Sequence, residues 1–303
     1  MSILKNNSGL EACRLCPREC GADRYTSYGY CGAPAEPVVA RAALHMWEEP
    51  CISGEEGSGT VFFSGCPLRC VYCQNYKISD CSRGKKITDD RLAEIFLELQ
   101  DKKANNINLV TPTHYTYSIV NAVKKARENG LRIPVVYNCS GYEKPETLEL
   151  LDGIVNIYLT DFKYMDPETS SRYSNAPDYA QTVKKAIDCM LGQVGRPDFD
   201  ERGIMEKGII VRHLILPGHE KESEDIIDYL YEKYGNDIYI SIMNQYTPLE
   251  NVSRYPEINR KVTAEEYDRV IEHACSTGVE NAFVQDDETA LESFIPDFSG
   301  EGV

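Results

Sequence analysis

The sequence predicts an α/β protein with a mostly parallel sheet, and two features carry that prediction. Beyond about residue 60, short apolar runs alternate with longer stretches of helical period. Parallel strands need crossovers of this kind, usually helical. The apolar runs are TVFF (60–63), INLVT (107–111), IPVVYN (133–138), VNIYLTDF (155–162), GIIVRHLIL (208–216) and DIYISIM (237–243). Between them, TDDRLAEIFLELQDKKA (88–104) offers Thr88 as an N-cap and sets Leu92, Ile95, Phe96 and Leu99 on one face. YSIVNAVKKARENG (117–130) ends on Gly130, a common helix stop; HEKESEDIIDYLYEKYG (219–235) begins acidic and ends on Gly235. Six such units suit a barrel, complete or partial, or a doubly wound open sheet, and periodicity alone does not choose. Residues 1–58 differ, with cysteine, glycine and proline but few clear periods. They read as a small segment held by something other than a core, ahead of a main unit at 59–303. The end, DDETALESFIPDFSGEGV (286–303), reads as a tail covering the sheet and then fraying.

Composition narrows the functional classes. Of 303 residues, 32 are Lys or Arg and 48 are Asp or Glu, a net charge of −16. A protein that neutralises phosphates carries a basic surface instead, so nucleic acid is not an expected partner; the basic run Arg83–Lys86 reads as a solvated turn. No stretch approaches the roughly 18 apolar residues of a membrane helix, and the start, MSILKNNSGLEACRLCPREC, lacks the apolar run of a signal peptide. The expected compartment is therefore the cytoplasm.

Twelve cysteines decide more, and nine of them fall in the first 81 residues. In a reducing compartment, clustered cysteines point to metal or redox chemistry rather than disulfides. Cys139, Cys189 and Cys275 stand singly and read as small buried hydrophobes. Cys66, Cys70 and Cys73 form C-x3-C-x2-C within FFSGCPLRCVYCQN. That spacing also fits one helix face, but Gly65 and Pro67 argue for a turn directly after a strand, and Arg69 offers nothing to a core. Structural zinc generally takes four protein ligands, and an iron–sulfur cluster normally takes four cysteines. Three thiolates leave a position open for a substrate or cofactor.

This triad, with Tyr72 before its last cysteine on the loop after the first strand of a β/α series, resembles the radical S-adenosylmethionine (SAM) superfamily. CQN and the lead-in EEPCISGEEGSGTVFFSGC are similar to its pyruvate formate-lyase activating enzyme branch, and more closely to PflX-type members. The resemblance runs from CRLCPREC through INLVTPTHY, VVYNCSGYE and YLTDFKY to FIPDF. It implies a partial (β/α)6 barrel with its site at the strand C-termini. It further implies that Cys66, Cys70 and Cys73 hold three irons of a 4Fe-4S cluster whose fourth iron chelates the amino and carboxylate groups of SAM. One electron then cleaves the sulfonium C–S bond, giving methionine and a 5′-deoxyadenosyl radical. The implied partners are an electron donor such as flavodoxin or ferredoxin, and a glycyl radical enzyme whose glycine loses a hydrogen atom.

Strand ends should then supply cofactor contacts. Where the family has Gly-Gly-Glu, this chain has Thr111–Tyr115, with Thr111 and Thr113 offering carbonyl or hydroxyl groups. His114 is open to two readings, acid or structural group. Asn138 and Ser140 suit a carboxylate or ribose, although turn chemistry accounts for them equally. Asp161 and Lys163 alternate onto one face; in activating enzymes a similar Asp-x-Lys helps hold the methionyl carboxylate, whereas the plain alternative is an ion pair at a sheet end. Arg212 and the run Asn244, Gln245 and Tyr246 are further candidates for the carboxylate and the adenosine. No catalytic side chain is singled out.

Cys13, Cys16, Cys20 and Cys31 form C-x2-C-x3-C-x10-C, enough for a structural zinc or an auxiliary iron–sulfur cluster. Arg14, Arg18 and Arg24 would offset its negative charge, and Cys51 and Cys81 are spare ligands. A cluster there relays electrons; zinc does not. Two other classes compete: radical modification of another protein or a small molecule, and a non-catalytic metal-stapled scaffold in which Cys81 completes the triad.

Overall fold

The computed structural model describes residues 9–285 and 296–303. Its strands are β1 (Val38–His45), β2 (Ser58–Phe63), β3 (Lys85–Lys86), β4 (Ile107–Val110), β5 (Val135–Cys139), β6 (Ile157–Asp161), β7 (Asp198–Phe199), β8 (Met205–Leu214), β9 (Tyr239–Met243) and β10 (Ala282–Val284). Its helices are α1 (Pro50–Ser53), α2 (Tyr76–Ser79), α3 (Asp89–Asp101), α4 (Thr116–Glu128), α5 (Pro145–Leu148), α6 (Pro167–Ser174), α7 (Tyr179–Val194), α8 (Glu220–Tyr234) and α9 (Ala264–Thr277).

All six predicted strands form, and they lie side by side in chain order: β2, β4, β5, β6, β8, β9, every pair parallel. The order never reverses, which decides against the doubly wound sheet, whose strand order changes direction at a switch point. Right-handed crossovers then put the helices on one face. The result is a partial β/α barrel. A seventh parallel strand, β10, adds to β9; three residues are too short to show a period in the sequence. Among the described residues the sheet ends at β10 on one side and at β1 and β3 on the other, without closing.

Strand alternation divides the core. Tyr137, Cys139, Tyr158, Ile209, Val211, Ile240 and Ile242 face the helices, while Val136, Ile157, Leu159 and Ile210 face inward against Cys51 and Ile52 of α1. The helices form for legible reasons. Thr88 Oγ1 accepts from Arg91 N–H at 3.1 Å and caps α3, whose Leu92, Ile95, Phe96 and Leu99 are buried. α8 stops at Gly235, φ +54°, whose N–H returns to the Tyr231 carbonyl.

Residues 1–58 contain a strand the sequence did not reveal: β1 pairs antiparallel with β2 and joins the main sheet. Its outer edge also receives the C-terminus, where Gly300 N–H bonds the Ala40 carbonyl and Ala42 N–H bonds the Glu301 carbonyl. A Cβ at Gly302 would collide with the Ala42 carbonyl, so this pairing needs glycine. Of the predicted tail, 296–303 thus covers the sheet edge, with Phe298 buried against Phe62; 286–295 lie outside the described residues.

The arginines expected to balance N-terminal thiolates serve mainly to dock the segment. Arg18 donates to the carbonyls of Pro67 (2.9 Å) and Ser174 (2.7 Å). Arg24, 1 % exposed, donates to the Ala33, Pro34 and His114 carbonyls, with Cys13 Sγ at 3.9 Å.

Candidate active site

The strand C-termini surround a cavity of about 480 Å³. Cys66, Cys70 and Cys73 form part of its wall, on the loop that leaves β2. Arg69, at φ +56°, turns that loop, and its N–H points at Cys66 Sγ (3.5 Å). Cys31 helps hold the loop, its carbonyl accepting from Cys66 N–H at 3.2 Å. Burial, then the neighbouring Cys70, pushes the Cys66 thiol up to about 11, and burial pushes Cys73 up as well. Among the described residues, no three His, Cys, Asp or Glu side chains are drawn into metal-holding geometry.

Thr111, Asn138, Ser140, Asp161, Lys163, Arg212 and Gln245 also line the cavity. Asp161 and Arg212 sit opposite each other in β6 and β8, and Arg212 sits opposite Ser241 in β9, so one row across the sheet faces inward. Lys163 Nζ lies 2.7 Å from Asp161 Oδ2, and Arg212 Nε lies 3.3 Å from Asp161 Oδ1. Arg212 also reaches Asn138 Oδ1 (2.5 Å) and Glu48 Oε2 (3.2 Å). Burial alone would raise the Asp161 carboxyl, but Lys163 and Arg212 outweigh it and hold it below the usual range. Tyr179 fixes the two strand exits: its hydroxyl accepts from Lys163 N–H (3.0 Å) and donates toward the Ser140 and Asp161 carbonyls (2.8 and 3.0 Å). Gly141, φ +74°, lets that turn lie directly on the Asp161 carbonyl.

Two predicted contacts are corrected. Thr113 is buried away from the cavity, its hydroxyl donating to Glu143 Oε1 at 2.7 Å. Tyr246 packs edge-on against Tyr72 and donates to the Ile258 carbonyl at 2.7 Å, so it braces the triad loop from behind. His114 is also turned away, its Nε2 at 2.8 Å from the Ser64 carbonyl. Burial pushes its pKa down to about 3, with Arg24 adding to the effect, so it is neutral and structural. Asn244 is held by Gln285, whose Oε1 accepts its N–H at 3.0 Å.

Thr111 occupies the left-handed region at φ +57°, its N–H bonded to the Asn138 carbonyl at 2.9 Å. Glycine adopts that backbone freely, whereas a β-branched residue there is strained. Thr111→Gly is therefore expected to leave the fold intact and to raise stability by up to about 1 kcal/mol, while Thr111→Ala does not. Paired thermal melts check this.

Sequence reasoning missed Glu48 and Glu49. Both line the cavity, and both are buried. Glu48 accepts from Asn108 Nδ2 at 2.9 Å as well as pairing with Arg212. They lie in a stretch without period, between a strand that was not foreseen and a four-residue helix; two adjacent acids before a proline were the only signal.

The N-terminal thiols lie near one another. A Cβ on Gly29 would sit 3.2 Å from Cys20 Sγ and 3.5 Å from Cys31 Sγ. Burial pushes the Cys16 thiol up to about 12, with Cys31 and Cys13 close enough to add to it. Cys81 belongs with this group rather than with the triad: its charged and thiol neighbours are Cys31, Arg24 and Asp80, and its Sγ is 4.0 Å from the Tyr115 hydroxyl. Cys139 is buried as expected, but Cys275 is exposed on α9.

The Radical SAM superfamily model matches residues 60–230, more than half of the chain. The chain belongs to the radical SAM superfamily. It is 31 % identical over 272 residues to an uncharacterized protein of Methanocaldococcus jannaschii, covering 86 % of this chain and 74 % of that one. It is 24 % identical over 179 residues to the pyruvate formate-lyase-activating enzyme of Clostridium pasteurianum, covering 55 % and 65 %. Among solved structures, its fold is similar to Streptococcus suis SuiB bound to S-adenosylmethionine, with TM-score 0.51 and 15 % identity over 74 % of this chain; the chain spans about half of SuiB. No helix among the described residues is long and apolar enough to cross a membrane.

Membership makes this a radical enzyme that uses a 4Fe-4S cluster and SAM, and the site fits both. Three soft thiolate donors on one loop match an iron–sulfur cluster with one iron left free. The buried cations Lys163 and Arg212 in the same cavity match a ligand that brings a carboxylate.

Proposed function

We propose that Cys66, Cys70 and Cys73 hold the cluster, that Lys163 and Arg212 orient the methionyl carboxylate of SAM, and that the chain directs hydrogen-atom abstraction from a substrate reaching this cavity. The observation that carries the reading is the convergence of the thiol loop, the Asp161–Lys163 pair and Arg212 on one cavity at the strand ends. When bound, the cluster and SAM supply a 5′-deoxyadenosyl radical; the chain binds, orients and excludes water. Asn138 keeps the Arg212 guanidinium turned inward, and Thr111, Ser140 and Gln245 supply polar edges for the rest of the nucleoside.

The activating-enzyme reading, with the glycine of a glycyl radical enzyme as hydrogen donor, is supported by the likeness to the Clostridium enzyme and by the Asp-x-Lys pair. The PflX-type branch is the finer form of the same reading. A second reading, modification of another peptide, is supported by the SuiB fold, which has also been solved with its precursor peptide SuiA. Either requires a one-electron donor of flavodoxin or ferredoxin type and suits the cytoplasm. We assign Cys13, Cys16, Cys20 and Cys31 to a second metal site, zinc or iron–sulfur, bracing the triad loop through Cys31.

The test is anaerobic. Reconstituted, reduced protein given SAM is expected to form 5′-deoxyadenosine, and the Cys66→Ala, Cys70→Ala, Cys73→Ala variant is expected to form none. A colourless wild-type protein that binds only zinc and forms no deoxyadenosine would instead establish the scaffold.

A further inference from the structure

We propose that Glu49 binds the protonated primary amine of the hydrogen-donating substrate. The inference rests on the radical SAM reading and names the substrate class for its cavity.

The place of Glu49 follows from the sheet order. Among the described residues β10 and β1 do not pair, and Trp47, Glu48, Glu49 and Pro50 after β1 line the cavity together with Val284 and Gln285 after Phe283. A second cavity of about 690 Å³ is lined in part by the same Pro50 and Phe283. Phe283 stacks on Tyr239 at 5.2 Å and presents an apolar wall there.

The cation follows from the charges. Among the described residues, the cavity holds three buried acids, Glu48, Glu49 and Asp161, against two cations, Lys163 and Arg212. Asp161 takes Lys163 and shares Arg212, and Glu48 takes Arg212 and Asn108. Glu49, only 8 % exposed, keeps an Oε2 with no hydrogen-bond partner. A buried carboxylate oxygen left unpaired is costly, and one facing a cavity is relieved by a cationic ligand. Ser241, itself 2 % exposed, donates its hydroxyl to Glu49 and leaves its oxygen as a second acceptor for an ammonium, which has three donors to place. The groups that act electrostatically on Glu49 are Arg212 and Glu48, whereas those acting on the triad thiols are one another and Lys163.

The experiment is calorimetry on the reconstituted protein with SAM bound, using 1,5-diaminopentane, the neutral 1,5-pentanediol, and the peptide acetyl-Gly-Lys-Gly-amide. An ammonium probe is expected to bind and the diol not. The diamine alone binding points to a small-molecule amine, and the peptide binding points to a lysine side chain. Glu49→Gln is expected to weaken the ammonium probe at least about tenfold, with Glu49→Asp recovering part and SAM affinity unmoved. The proposal is overturned by failure of both ammonium probes on wild type, by equal binding to Glu49→Gln, or by an equal loss of SAM affinity, which would give Glu49 to the cofactor. Loss of deoxyadenosine formation in wild type would instead overturn the radical reading, independently of these isotherms.

Discussion

Arg212→Met is expected to cost the fold roughly 3–5 kcal/mol, because it strands buried carboxylates that share one counter-charge. The side chain is 16 % exposed and contacts Asp161 at 3.3 Å and Glu48 at 3.2 Å, with Glu49 close enough to act on it. Burial pushes Glu48 and Glu49 up, and Arg212 is the main group opposing that rise. Without it, both acids are expected to take up protons and Asp161 to depend on Lys163 alone. Arg212→Lys should recover only part of the loss, since an ammonium cannot reach Asn138, Glu48 and Asp161 with the spread of a guanidinium. Adding Glu48→Gln to Arg212→Met should restore stability by removing one stranded charge. Urea denaturation of the four proteins at neutral pH measures this. Equal midpoints for wild type and Arg212→Met would show that the carboxylates are already neutral, and would reduce Arg212 to a cofactor contact.

The charge cluster marks where the sequence was legible and where it was not. Its Asp161, Lys163, Asn138 and Arg212 were found because strand ends are where β/α barrels keep their chemistry, and a charged residue ending an apolar run stands out there. Glu48 and Glu49 were not, because their place depends on β1 pairing with β2 and on α1 closing the inner face, both long-range events. Thr113 and Tyr246 lay in the right segments but were assigned to the wrong side. A 3-10 turn over Thr113–Tyr115 rotates Thr113 toward Glu143, and Tyr246 follows the last residues of β9 into the aromatic group around Tyr72. Such turns leave no periodic trace. The tail was legible as a cover for the sheet, but its pairing with β1 was not, because β1 itself left no signal.

Glu143 gives the second large effect, a pH-dependence. It is fully buried, its Oε1 accepts the Thr113 hydroxyl and its Oε2 has no partner. Burial raises its pKa from 4.5 to about 8, with Thr113 opposing the rise. Because the folded value is above the unfolded one, the native state binds more protons between about pH 4.5 and 8, and stability falls as pH rises through that window. Below it the carboxyl is neutral in both states and the contribution is level. Above it the deficit is constant and amounts to several kcal/mol, at about 1.4 kcal/mol for each unit of difference. Glu143→Gln keeps the acceptor for Thr113 and removes the proton, so its advantage over wild type should be small at pH 5 and grow steadily to pH 8. Denaturation curves at pH 5, 6.5 and 8 isolate the group, since every other titration is common to both proteins. A constant difference across the three would show that Glu143 titrates alike in both states. Glu143 holds Thr113 and, through it, the 111–115 exit where strained Thr111 faces the cavity. A carboxylate formed there accepts the Thr113 hydroxyl more strongly than the neutral acid does, so the fall in stability through the window reflects the burial of a charge rather than a lost contact, and SAM binding should stay alike in wild type and Glu143→Gln.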